Sequence, residues 1–407
     1  MAREQWFRKD DVSEIPSHER ANLWVVCAAQ YLCLAGMTAV LPLLPLYLQQ
    51  IGVDGRDAVR WWAGALSAAP FVIAVFATPL WGALADRVGH KPMVVRSVCG
   101  IAIATVGMGL SESPIEILGW RGVQGAVSGV FPAAVALLSS LTPEERVGRS
   151  LAILQATRSA GVLSGPLIGG VLADIFGIRP MFLGVGAIAL VTAGVCVLVL
   201  EERSDEPSRH DVQGPRMTDL LRARPVMGML AVVLLYQITV MASWPMIALF
   251  VEKMGIEKSA VATMTGVVVF AQGLPSMLLA TTWVRFVPRF GLGRVISASL
   301  LLSGITNFAV GFAPNIELVL LLRALSGVAM AGFIPLSFQW LNGYAPPNAR
   351  GRMAGISSTA MMLGNVFGSI AGGWIAVDMS LGATFWVPGI ALTATGLCFS
   401  ALSSSRR

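Results

Sequence analysis

Runs of roughly twenty or more mostly apolar residues follow one another through this chain, each long enough to cross a ~30 Å hydrocarbon layer as a helix. They fall at 22–48, 61–84, 92–111, 115–140, 150–173, 180–200, 225–250, 259–283, 293–312, 315–342, 352–377 and 382–402. Without water to satisfy backbone amides, such a chain is confined to helices or a closed barrel. Apolar and polar residues do not alternate in these runs, which excludes the barrel. Only 13% of the 407 residues are charged, against about 25% in a soluble domain, so the runs are not core helices of a large globular protein. The sequence predicts an all-α membrane protein with twelve transmembrane helices.

Basic residues predict its orientation. With the N-terminus assumed cytoplasmic, 21 of the 29 Lys and Arg fall on the cytoplasmic side, five fall outside, and Arg121, Arg158 and Arg323 lie within spans. The positive-inside rule therefore expects both termini in the cytoplasm and an inner-membrane protein. This topology accounts for the net charge of +6, so nothing calls for a nucleic-acid partner. The first run is too long for a signal-peptide core, and no cleaved leader is expected. All five cysteines fall in spans without metal-ligand spacing, which points to packing rather than a metal site.

The chain also repeats itself. Setting residue i beside i+202 or i+203 pairs Arg121 with Arg323, Gly125 with Gly327, Pro132 with Pro335, Pro143 with Pro346, and Gly165 with Gly368. The polar stretch 201–224 between the copies reads as a cytoplasmic linker. The expected organisation is a cytoplasmic segment 1–21, a six-helix bundle 22–200, the linker, a second bundle 225–402 and a tail 403–407. Two parallel six-helix repeats suit a transporter whose midplane site is exposed alternately by rocking one half on the other.

Four motifs carry a resemblance. The loop GALADRVGHKP (82–92) holds Gly82, Asp86, Arg87, Gly89 and Lys91, with His90 where a second base is usual. The fourth span reads LGWRGVQGAVSG (118–129) around Arg121, Gln124 and Gly125. The fifth reads RSAGVLSGPLIGG (158–170), with Gly161, Gly165, Pro166, Gly169 and Gly170, and the first holds LAGMTAVLPLLP (34–45). In order and spacing these resemble the major facilitator superfamily, and most closely its twelve-helix drug:proton antiporter, or multidrug efflux, branch. The resemblance implies export of small lipophilic or amphipathic compounds driven by inward proton flow, with no cofactor beyond the proton gradient and a functional monomer in the bilayer. It also implies a substrate cavity on the inward faces of spans one, four, seven and ten. Candidates there are Gln30, Tyr31, Met37, Gln124, Tyr236, Gln237, Met241, Trp244, Phe333, Gln339 and Trp340.

The residues themselves suggest roles. Asp86 at a helix end suits a latch to helix N-termini or to Arg350 and Arg352. The alternative is a basic loop that only sets topology. Gly161, Gly165 and Gly169 form one smooth seam for close helix contact, and Pro166 favours a bend that the second copy, with Ser369 in its GNVFGSIAGG (364–373), lacks. Arg121 and Arg323 either face a polar interior or snorkel to the outer surface. Proton coupling ordinarily uses an embedded carboxylate, yet the acids nearest the spans, Asp86, Asp174 and Asp378, stand at helix ends. With Arg158, the embedded arginines would make a positive cavity if all three face inward, favouring an anionic or zwitterionic solute. A solute-specific transporter of an organic anion, with an uptake symporter among its forms, is therefore the second reading. An intramembrane serine hydrolase using Ser164 lacks a base, since His18, His90 and His210 all lie outside the spans.

Overall fold

The computed structural model describes the backbone of residues 17–202, 223–346 and 349–404. The expected linker lies mostly outside these residues, as do His210, most of the N-terminal segment and the last three residues of the tail; the side chain of Asp86 is likewise outside. Twelve helices are long and apolar enough to cross a membrane: Glu19–Gln50, Arg56–Ala85, His90–Leu110, Pro114–Leu141, Glu145–Phe176, Ile178–Val199, Arg224–Lys253, Lys258–Val284, Leu292–Val310, Ile316–Asn342, Arg350–Asp378 and Ala383–Ala401. They start and stop within a few residues of the sequence expectation. The even number places the first residue of span one and the last of span twelve at the same face, called here the terminal face; the other is the remote face.

Local chemistry sets the ends in matched pairs. Ser113 caps the fourth span by accepting the Glu116 N–H, and Asn315, 202 residues on, caps the tenth by accepting the Leu318 N–H. Gly89, at φ 100°, makes the sharp turn from span two to span three that a side chain would strain.

Spans four and ten are both interrupted. The fourth breaks at Val127–Gly129, with Gly129 left-handed, and the tenth breaks between Met330 and Phe333. Buried carbonyls freed by a break need donors. Trp81 donates its indole N–H to the Ala126 carbonyl at 2.6 Å, and Trp283 does the same for Val328 at 2.8 Å. Donor and acceptor are each displaced by 202 residues. The Arg96 guanidinium, 3.5 Å over the Trp81 ring, also reaches the Ser128 carbonyl at 3.1 Å. The second copy has Ala298 at that place, and Ser299 supplies its own bond to the Ala329 carbonyl.

Within each half, the first span packs on the fifth and the third on the sixth, or the seventh on the eleventh and the ninth on the twelfth. Spans two and eleven, and five and eight, join the halves. The apolar core is continuous near the remote face, where Leu44, Leu66 and Phe182 of the first half share one cluster with Phe250, Val268 and Phe385 of the second. Toward the terminal face it divides into two separate clusters, one around Val94 and Leu137 and the other around Val233 and Phe333. The protein is sealed at one end and parted at the other.

Candidate functional site

A cavity of about 480 Å³ lies where the core divides, within the size range of small-molecule sites. Its walls come from the middle of spans five, seven, eight and ten: Arg158, Tyr236, Gln237, Trp244, Gln272 and Met330 each stand within about seven residues of their span's midpoint. Tyr236 is held flat against Phe333, with ring centroids 4.2 Å apart. Gln237 donates to the Asn365 side chain at 2.6 Å, which fixes its amide. Arg158 lays its guanidinium 4.8 Å from the Phe131 ring centre.

The other two embedded arginines are buried and do not line the cavity. Arg121 is 2% exposed and donates to the Leu66 carbonyl at 2.9 Å and to Gln124 at 2.6 Å. Neither it nor Gln124 lines the cavity, and snorkelling to the surface is excluded by its burial. Arg323 is 1% exposed, packs 5.1 Å from the Phe385 ring centre and donates to Gln272 at 2.8 Å. It therefore sets the orientation of a cavity amide without reaching the cavity. Of the three embedded arginines, Arg158 lines the cavity and Arg121 and Arg323 do not, so the condition for a cavity with three positive charges is not met.

Other candidates scatter. Tyr31 shares a 2.9 Å hydrogen bond with Ser164, joining spans one and five, while Gln30 is fully buried and Met37 packs against the first-half core. Met241 packs against Gly368. Gln339 is exposed, and Trp340 turns away to Phe399 and Tyr344. Spans one and four thus contribute nothing to the wall, and spans five and eight take their place. Gln272 was not among the sequence candidates, although an amide in the middle of an apolar span was a signal.

The glycine motif is a contact surface. A Cβ on Gly161, Gly165 or Gly169 would stand within 3 Å of Tyr31, Ala35, Thr38 or Ala39 of span one. Gly170 instead meets Ala262 and Thr263 of span eight, and the carbonyl of Pro166 lies against Gly266. The fifth span is a single helix, Glu144–Phe176, through Pro166. The second copy does likewise: Gly364, Gly368 and Gly372 meet span seven, and Gly373 meets Gly64 of span two.

Above the cavity, the remote face is locked by charges on helix ends. The Asp174 carboxylate accepts the backbone N–H groups of Ala262 (3.3 Å) and Thr263 (2.7 Å) at the start of span eight. Arg60 donates to the Ala376 carbonyl (3.0 Å) near the end of span eleven and pairs with Asp57. Gln49 donates to Glu252 at 3.3 Å. Asp378 is exposed at its helix end. At the terminal face, Arg87, Arg350 and Arg352 are exposed, Lys91 is half-buried, and a Cβ on Gly82 would meet nothing within 4 Å. The His90 N–H is capped by Glu202, at the end of span six.

Comparison with known proteins agrees with this geometry. The Major Facilitator Superfamily profile matches residues 26–270 and 229–406. Over 394 residues the chain is 29% identical to the multidrug resistance protein MdtG of Citrobacter koseri, covering 96% of both. Among solved structures, a bacterial homologue of the human lysosomal transporter Spinster, inward-facing and unoccupied, superposes with TM-score 0.74 at 16% identity over 96% of each chain. The nucleoside transporter NupG gives TM-score 0.76 at 13% identity, over 93% of this chain and 98% of its own. The chain belongs to the Major Facilitator Superfamily: it is a multi-pass membrane transporter and not an enzyme.

Proposed function

We propose that the protein exports small lipophilic or amphipathic compounds across the bacterial inner membrane by alternating access, as a monomer driven by inward proton flow. The observation that carries this reading is the apolar core, continuous at the remote face and divided at the terminal face around a midplane cavity. The likeness to MdtG supports efflux rather than uptake. With the termini cytoplasmic, as the basic residues expect, this is the inward-open state, ready to load from the cytoplasm. The halves 22–200 and 225–402 then rock about the contacts of spans two and eleven and of five and eight. Closing the terminal face would bring the Gly82–Lys91 loop toward Arg350 and Arg352, the latch expected from sequence.

Everted membrane vesicles test the whole proposal. A respiring preparation should accumulate an exported dye, and adding that dye should alkalinise the acidified lumen. Accumulation with no pH response removes proton antiport. Uptake that needs no gradient removes active export.

A further inference from the structure

Resting on the exporter reading, the geometry points to amphiphiles carrying a single anionic head, a carboxylate or sulfonate, as the substrate class of the midplane cavity. Among its lining residues, Arg158 is the one ionisable side chain that keeps its charge at neutral pH, and none is acidic. Its guanidinium packs on the face of Phe131, and among the described residues no ion pair holds it. Asp174, the other candidate charge of the same helix, stands about 24 Å further along and is occupied at the start of span eight.

A half-buried guanidinium without a carboxylate is a cost to the empty protein, and an anionic ligand offsets it. A cation entering the same space meets repulsion from the same charge. Arg121 and Arg323 are buried and neither lines the cavity, so neither can pair with a ligand's head there. One available cation selects one negative group, not two. The rest of the wall defines the body of the ligand. Tyr236 and Trp244 offer aromatic surface, Met330 and Met277 adapt to varied apolar shapes, and Gln237 and Gln272 present amides already fixed by Asn365 and Arg323. Phe131 holds the arginine by its π-face until an anion takes its edge, so the empty site is not left with a freely moving charge.

A matched pair of dyes isolates the charge: 8-anilinonaphthalene-1-sulfonate and N-phenyl-1-naphthylamine share the ring system and differ by the sulfonate. Their apparent affinities for the full chain in an uncharged detergent can be read from the ligand-dependent rise in unfolding temperature. Wild type should prefer the sulfonate by about tenfold or more, as a charge-assisted hydrogen bond provides. Arg158→Gln should bring the preference to about one without weakening the neutral dye, and Arg158→Lys should keep most of it. Ser159→Asp, which places a carboxylate in the wall, should also abolish it and covers the case in which Arg158→Gln does not fold. Equal affinities in wild type, or a preference that survives both charge-cancelling variants, overturns the inference while leaving efflux standing. Binding of neither dye to wild type overturns the exporter reading together with it.

Discussion

At the scale of single residues, Arg121 and Arg323 occupy equivalent places in the two copies yet do different work. Arg121 ties the Leu66 carbonyl of span two to Gln124 of its own helix, whereas Arg323 orients a cavity amide. Replacing Arg121 with methionine should leave both acceptors buried without a donor and cost about 2–5 kcal/mol. Arg158→Met, which strands no partner, should leave stability within about 1 kcal/mol of wild type. Thermal unfolding in detergent checks both, and equal losses would contradict this division. The sequence showed how deep these arginines sit, because depth follows from counting residues along a helix. It did not show which way they turn. Facing depends on rotation about the helix axis, and in a span apolar on every side no amphipathic stripe reveals it. The same gap hid Gln272 and admitted Gln339 and Trp340 as cavity candidates.

Among the elements, the fifth span shows how small residues set spacing. Its glycines face span one so closely that a methyl at Gly165 would stand 2.4 Å from the Ala35 carbonyl, a backbone atom that cannot turn aside. Gly165→Ala should destabilise the protein by about 1–3 kcal/mol through overpacking. Gly184→Ala, which meets open space, should be neutral or slightly stabilising. Detergent unfolding of the two variants side by side is the measurement, and a neutral Gly165→Ala would mean that the helices can part without loss. This part of the fold was legible in the sequence. Apolar run lengths marked the spans, glycine spacing marked the seam, and the displacement of 203 residues forecast matched contacts that the structure places at Gly364, Gly368 and Gly372. The breaks in spans four and ten were not foreseen, although the paired Pro132 and Pro335 stand just after them and each withholds an N–H from the residue four before it. The donors that satisfy them, Trp81 and Trp283, lie 45 residues earlier in the chain.

For the whole molecule, the balance between states rests on the remote lock. Asp174→Ala removes two charge-assisted bonds between the halves and should shift the population toward opening at that face by on the order of tenfold or more. Spin labels at Asp54 and Glu257, both exposed near the remote face, would report it as a new longer distance. An unchanged distribution would show that apolar packing alone closes the seal. The lock has an evolutionary corollary. Asp174 and Arg60 grip peptide groups, at Ala262, Thr263 and Ala376, and not side chains. The grip itself therefore does not depend on residue type, proline at the two amide donors aside, and at the buried Ala262 and Ala376 only packing limits the choice to small residues. Paired substitutions, the usual trace that interacting residues leave among relatives, are not expected at these two contacts, in contrast to the side-chain pair Gln49–Glu252 beside them, and a closure built this way can persist while the sequences around it drift.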